Sequence, residues 1–88
     1  MKLDITNDAL KFVQGLDAKP YRQVVNKMFS LMANSHPNDA IKMQDYDGYR
    51  VDIGEYRIVY RTDSDTLYIA VVGKRNDDEV YRKARRNR

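Results

Sequence analysis

Arginines dominate the residues of this chain that could do chemistry. Arg50, Arg57 and Arg61 recur within a stretch of alternating polar and apolar residues, and Lys74 and Arg75 close an apolar run. Tyr81 then sits beside Arg82, Lys83 and Arg85. From Lys74 to the end there are seven basic residues against three acids, a local balance of +4, whereas the first 73 residues carry nine and ten. The net charge of +3 is therefore concentrated at one end. Guanidinium groups grip phosphate oxygens in pairs and stay charged near neutral pH, and exposed tyrosines can stack on unpaired bases. Nucleic acid is the most economical source of so much phosphate. Spacing alone leaves two readings open: phosphate binding, or solvation of an exposed sheet face.

Other chemistries find little support. Without cysteine there is no disulfide framework, zinc knuckle or thiol nucleophile. The single histidine, His36, lies in a Ser-His-Pro loop and reads as an exposed loop residue. Met28 and Met32 fall on a helical stripe and read as core. Tyr46, Tyr49, Tyr56 and Tyr60 read as sheet residues rather than stacking platforms. The opening Met1-Lys2-Leu3-Asp4-Ile5 lacks the apolar segment of a signal peptide, and no apolar run approaches the ~20 residues that span a bilayer. A soluble, cytoplasmic domain with no membrane association is expected, a single unit over residues 1–88. No metal or cofactor is expected.

The elements that must position these residues follow from periodicity. Leu3 and Ile5 suit a short opening strand. Thr6-Asn7-Asp8 can cap a helix whose apolar face is Ala9, Phe12, Val13 and Leu16. Asp17-Ala18-Lys19 reads as a break, with Pro20 at the first position of a second helix. Tyr21, Val24, Val25, Met28, Leu31 and Met32 form that helix's stripe, and the short break implies an antiparallel pair. From Tyr46 the period changes to two. Tyr49, Val51 and Ile53 alternate with Arg50 and Asp52, Gly54-Glu55 makes a tight hairpin turn, and Tyr56, Ile58 and Tyr60 alternate with Arg57, Val59 and Arg61. After a turn at Thr62-Asp63-Ser64-Asp65, the run from Leu67 to Val72 is apolar on both faces, as in a central strand. Glu79 to Arg86 reads as a short basic final helix. The expected fold is α+β, with two N-terminal helices on one face of a small, mainly antiparallel sheet and Arg50, Arg57 and Arg61 on the other.

The segment Gly48-Tyr49-Arg50-Val51-Asp52-Ile53-Gly54-Glu55-Tyr56-Arg57-Ile58-Val59-Tyr60-Arg61, with Val71-Val72-Gly73-Lys74-Arg75 and Glu79-Val80-Tyr81 after it, resembles the RelE family of the RelE/ParE toxin–antitoxin superfamily. The resemblance extends over nearly the whole chain and implies the RelE-like fold. It further implies a ribosome-dependent endoribonuclease (an mRNA interferase) that cuts mRNA in the A site of the 70S ribosome, held silent by a cognate antitoxin. In that family the RNA's 2′-hydroxyl attacks the adjacent phosphate without a metal. The resemblance assigns Tyr81 to accept the 2′-hydroxyl proton, Arg75 to stabilise the transition-state charge, and Arg57 to contact the phosphate and assist the leaving oxygen. Arg50, Arg61, Lys74, Arg82, Lys83 and Arg85 are the expected RNA contacts. A phenol with an ordinary pKa near ~10 is a poor base, and neighbouring cations would lower it. A Tyr81 ring that only anchors the tail is the alternative role. Arg50 and Asp52 occupy positions where the family places two lysines, so Asp52 departs from the pattern by bringing a negative charge. Two compensations are open: pairing of Asp52 with Arg50 or Arg61, or positive charge supplied by Arg61 and Lys74. Two further readings stay open: a ParE-like gyrase poison, against which Tyr81 argues, and a non-catalytic RNA-binding module, which Asp52 favours.

Overall fold

The computed structural model describes residues 1–76. Its elements are β1 (Lys2–Ile5), α1 (Asn7–Gln14), α2 (Ala18–Ala33), β2 (Ile41–Lys42), β3 (Tyr49–Ile53), β4 (Tyr56–Asp63) and β5 (Thr66–Lys74). The sheet order is β1-β5-β4-β3-β2. β1 lies parallel to β5 and every other pairing is antiparallel, so the sheet is mixed. The two helices pack on one face, as the sequence pattern predicts. The expected final helix, with Tyr81, Arg82, Lys83 and Arg85, lies outside the described residues.

Local signals explain most boundaries. Thr6 caps α1, its Oγ1 accepting from the Ala9 amide at 3.2 Å while its hydroxyl donates to the Ala70 carbonyl at 2.8 Å. One residue thus starts the helix and ties it to the central strand. α2 begins at Ala18, two residues before the expected start, and Pro20 occupies its first turn. Amides of the first turn have no intrahelical acceptor, so a proline there costs no hydrogen bond. Gly54 takes a positive φ of 58° as the first of two turn residues between β3 and β4, which suits a hairpin turn that follows the sheet's twist. The second hairpin closes at Ser64 and Asp65, narrower than the four-residue turn expected, with Ser64 at φ 53°. β2 is an addition: two residues that pair with Tyr49 and Arg50 and extend the sheet edge.

The main core lies between helices and sheet. Ala9, Val13, Val24, Met28 and Leu31 meet Val51, Ile58, Tyr60, Leu67, Ile69 and Val72, all nearly or fully buried. Tyr21, expected on the α2 stripe, is instead exposed near the start of that helix. The Tyr60 hydroxyl donates to the Ser35 carbonyl at 2.6 Å and anchors the loop after α2. Burial pushes its pKa up to about 12.

The opposite face is not the bare basic surface that alternation suggests. Residues 43–48 fold back over it, closed by the Met43 amide donating to the Gly48 carbonyl at 3.0 Å. Met43 and Tyr46 cover Val59, Ala70 and Val71 to make a second, smaller core, with Tyr68 at its margin. Tyr46 is therefore a loop residue lying on the sheet. Gly48 permits this approach, since a Cβ there would lie 2.6 Å from the Tyr46 ring and against the Tyr60 carbonyl.

A bulge in β5 sets which side chains share this outer face. Val59 pairs with Val71 and Tyr60 with Ile69, so Ala70 is an extra residue. Alternation is reset there. Leu67, Ile69 and Val72 face the helices, and residues 73 and 75 take the outer parity.

Candidate nucleic-acid interface on the outer sheet face

The basic residues of the outer face divide into two groups. The first gathers beside the β3–β4 turn. A two-residue turn sets Ile53 opposite Tyr56 and hence Asp52 opposite Arg57. Their side chains join in a bidentate ion pair, Arg57 Nε to Asp52 Oδ1 at 2.7 Å and an Arg57 Nη to Oδ2 at 3.1 Å. The Arg57 side chain is only 11% exposed, against 34% for Asp52, so the guanidinium is the more buried partner. Arg75 joins from the end of β5, its amide donating to the Glu55 carbonyl at 3.0 Å. The Asp52 carboxyl is held below the usual carboxylate range, first by its hydrogen bond to Arg57 and against the opposing effect of burial. The charges of Arg57, Arg50 and Arg75 add to that lowering. The register sets Arg50 two residues before Asp52 on the same face and Arg75 beside the β3–β4 turn, while among the described residues only Arg57 bonds the carboxylate.

The second group is four residues along β4, about 13 Å away at ~3.3 Å per residue. The Arg61 guanidinium lies over the Tyr68 ring, 4.5 Å from its centroid, a cation–π contact. Beside it Tyr46 is buried, and its hydroxyl has no hydrogen bond of good geometry among the described residues, although the Arg61 guanidinium approaches it. Burial raises the Tyr46 pKa, and Arg61 opposes that rise by its charge and its N–H groups. An open recess of about 380 Å³ lies at this end, bordered by His36, Lys42, Tyr49 and Arg61. Arg61 thus packs on aromatic rings and is separated from Arg57 by the Val59 patch. Lys74 pairs with Tyr56, which faces α1, so the register gives Lys74 the helix-side parity and an exposed place at the sheet's end.

Of the residues expected at the site, the fold brings Arg50, Arg57 and Arg75 together and sets Arg61 and Lys74 apart. Tyr81, Arg82, Lys83 and Arg85 fall outside the described residues. Asp52 pairs with Arg57 and not with Arg50 or Arg61, the partners expected from the sequence, because the register sets Arg57 directly opposite it. The signal for this pairing was nonetheless in the sequence, because a two-residue turn at Gly54-Glu55 dictates which residues stand opposite. Among the described residues no group of three or more acidic or histidine side chains is set to hold a metal, and no helix is long and apolar enough to cross a membrane.

Comparison with known proteins gives this arrangement its family. Two helices on one face of a mixed sheet match the fold of the free E. coli toxin RelE, solved as a mutant with two arginines replaced by alanine. That structure is 24% identical, matching 94% of this chain and 92% of its own with a TM-score of 0.77. The intact E. coli RelBE toxin–antitoxin complex matches at 22% identity over 86% of this chain and 98% of that one, TM-score 0.71. The RelBE2 toxin–antitoxin complex of Mycobacterium tuberculosis matches at 20% identity over 84% and 96%, TM-score 0.70. No sequence among curated proteins matches significantly. The family model for the ParE toxin of the type II toxin–antitoxin system parDE matches residues 3–79. The chain belongs to that family, and is a type II toxin of the RelE/ParE superfamily with a RelE-like fold.

Proposed function

We propose that this toxin is a ribosome-dependent mRNA endoribonuclease. The observation that carries the reading is that the strand register sets Arg50, Arg57 and Arg75 at one end of the outer sheet face, beside the β3–β4 turn. Charge-assisted, paired N–H donors are what a phosphodiester in a transition state of growing negative charge requires. In this reaction the RNA 2′-oxygen bonds to phosphorus and the bond to the 5′-oxygen breaks, leaving a 2′,3′-cyclic phosphate and a 5′-hydroxyl. Tyr81 takes the proton of the 2′-hydroxyl, Arg75 neutralises the phosphorane-like oxygens, and Arg57 holds the phosphate and assists the departing oxygen. Arg50, Lys74, Arg82, Lys83 and Arg85 supply further phosphate contacts, and the ribosome presents the message in its A site. Arg61, given over to Tyr68, contacts RNA only at the margin. A cognate antitoxin completes the system; the E. coli and M. tuberculosis toxins of this fold were crystallised with theirs.

The match to the ParE model and the neutralisation of Arg57 by Asp52 favour a second reading, a toxin that poisons gyrase and cleaves no RNA. Primer extension on an mRNA undergoing translation in a purified system separates the two. Cuts within A-site codons that vanish with Arg75→Ala are the expected result. Intact message with the wild-type protein, together with inhibited gyrase, refutes the nuclease.

A further inference from the structure

Asp52 presents a conflict for any phosphate bound at this site. Its carboxylate engages two N–H groups of Arg57 side-on, the geometry in which a guanidinium fork also takes two phosphate oxygens. Arg50, two residues before Asp52, and Arg75, two residues after the partner of Arg57, share this face by register. Asp52 is also the more exposed member of the pair, and it already occupies two of the N–H donors that an arriving anion would need. A phosphodiester and an ionised carboxylate within a few ångströms of one another repel strongly where water is partly excluded. Both cannot occupy the arginine cluster at once.

We propose that the Asp52 carboxylate occupies the seat of the RNA phosphodiester in the free protein, and that single-stranded RNA binds by displacing it from Arg57. This rests on the nuclease reading of the same site and adds to it an internal competitor. Asp52 keeps Arg57 paired while the site is empty and weakens phosphate capture, so the ribosome's presentation of the message becomes a stricter requirement for cleavage. The aspartate side chain is short and turns about two bonds, so release needs rotation of that side chain and no movement of the sheet.

The test measures binding of a short 2′-O-methyl RNA, which cannot be cleaved, to the full chain and its variants at fixed salt. Asp52→Asn removes the charge and keeps the shape, and binds this RNA about tenfold more tightly than wild type, equivalent to about 1.4 kcal/mol. Arg75→Ala, the control for the site itself, binds about tenfold more weakly. In the wild-type protein the ¹³C carboxyl resonance of Asp52 shifts on titration with a midpoint equal to that of RNA binding, a measurement that does not depend on a variant folding. If Asp52→Asn binds no more tightly, or the Asp52 resonance stays fixed at RNA saturation while Arg75→Ala still weakens binding, displacement is wrong and the site stands. If Arg75→Ala binds as wild type does, the site reading fails and the displacement proposal with it.

Discussion

Truncating Arg57 to alanine should cost more stability than a surface arginine normally does, and the cost should depend on Asp52. Fully exposed ion pairs couple by ~0.2–1 kcal/mol, whereas removing one partner of a buried pair costs ~3–5 kcal/mol. With side chains 11% and 34% exposed, the Arg57–Asp52 pair lies between these limits. We expect Arg57→Ala to lose ~2–3 kcal/mol, of which ~1–2 kcal/mol is interaction with Asp52. The measurement is a double-mutant cycle by urea unfolding, using Arg57→Ala, Asp52→Ala and the double variant. Its pH dependence has a fixed sign. Arg57 lowers the Asp52 pKa in the folded state, so the stabilisation is complete above the unfolded value of ~3.9. It is lost as pH falls through the lower folded value. Coupling should therefore be equal at pH 7 and pH 5 and decline only below about 4. A coupling under ~0.5 kcal/mol at pH 7, within the range of an exposed pair, would refute the assignment. So would a decline between pH 7 and pH 5, because a group other than Asp52 would then be titrating.

Three further perturbations test the architecture around the site. Tyr60→Phe deletes the hydroxyl that holds the Ser35 carbonyl and should cost ~1 kcal/mol. Because Tyr60 titrates at about 12 when folded and ~10 when unfolded, wild type should also lose stability as pH rises through that interval, more steeply than the variant. Tyr46→Phe removes a buried hydroxyl with no hydrogen bond among the described residues, and should change unfolding free energy by under ~0.5 kcal/mol; a loss above ~1 kcal/mol would reveal a bond, with Arg61 the nearest candidate. Gly48→Ala should cost ~2 kcal/mol or more by driving a methyl into the Tyr46 ring and the Tyr60 carbonyl. Chemical denaturation checks it, and a neutral result would mean that the loop of residues 43–48 does not lie on the sheet as described.

The sequence by itself determined the two helices, the cap of the first, most of their buried stripes and the β3–β4 hairpin, because each depends on neighbours a few residues apart. Thr6 caps the helix after it, and Gly54 with Glu55 turns the strand, whatever the remainder of the chain does. The candidate arginines were equally legible as residue types, since their charge does not depend on the fold. Long-range contacts required the tertiary structure. Periodicity made the outer face a continuous row of arginines, yet the loop of residues 43–48 covers its middle and leaves Arg61 with Tyr68 at the far end. The run from Leu67 to Val72 is apolar on both sides, so its pattern could not reveal where alternation breaks. Only pairing with β4 shows Ala70 as the extra residue. Without that bulge, strict alternation from Leu67 and Ile69 would turn Arg75 toward the helices. With it, Arg75 emerges on the face of Arg57 and Asp52, because one inserted residue reverses the side on which every later side chain of the strand projects.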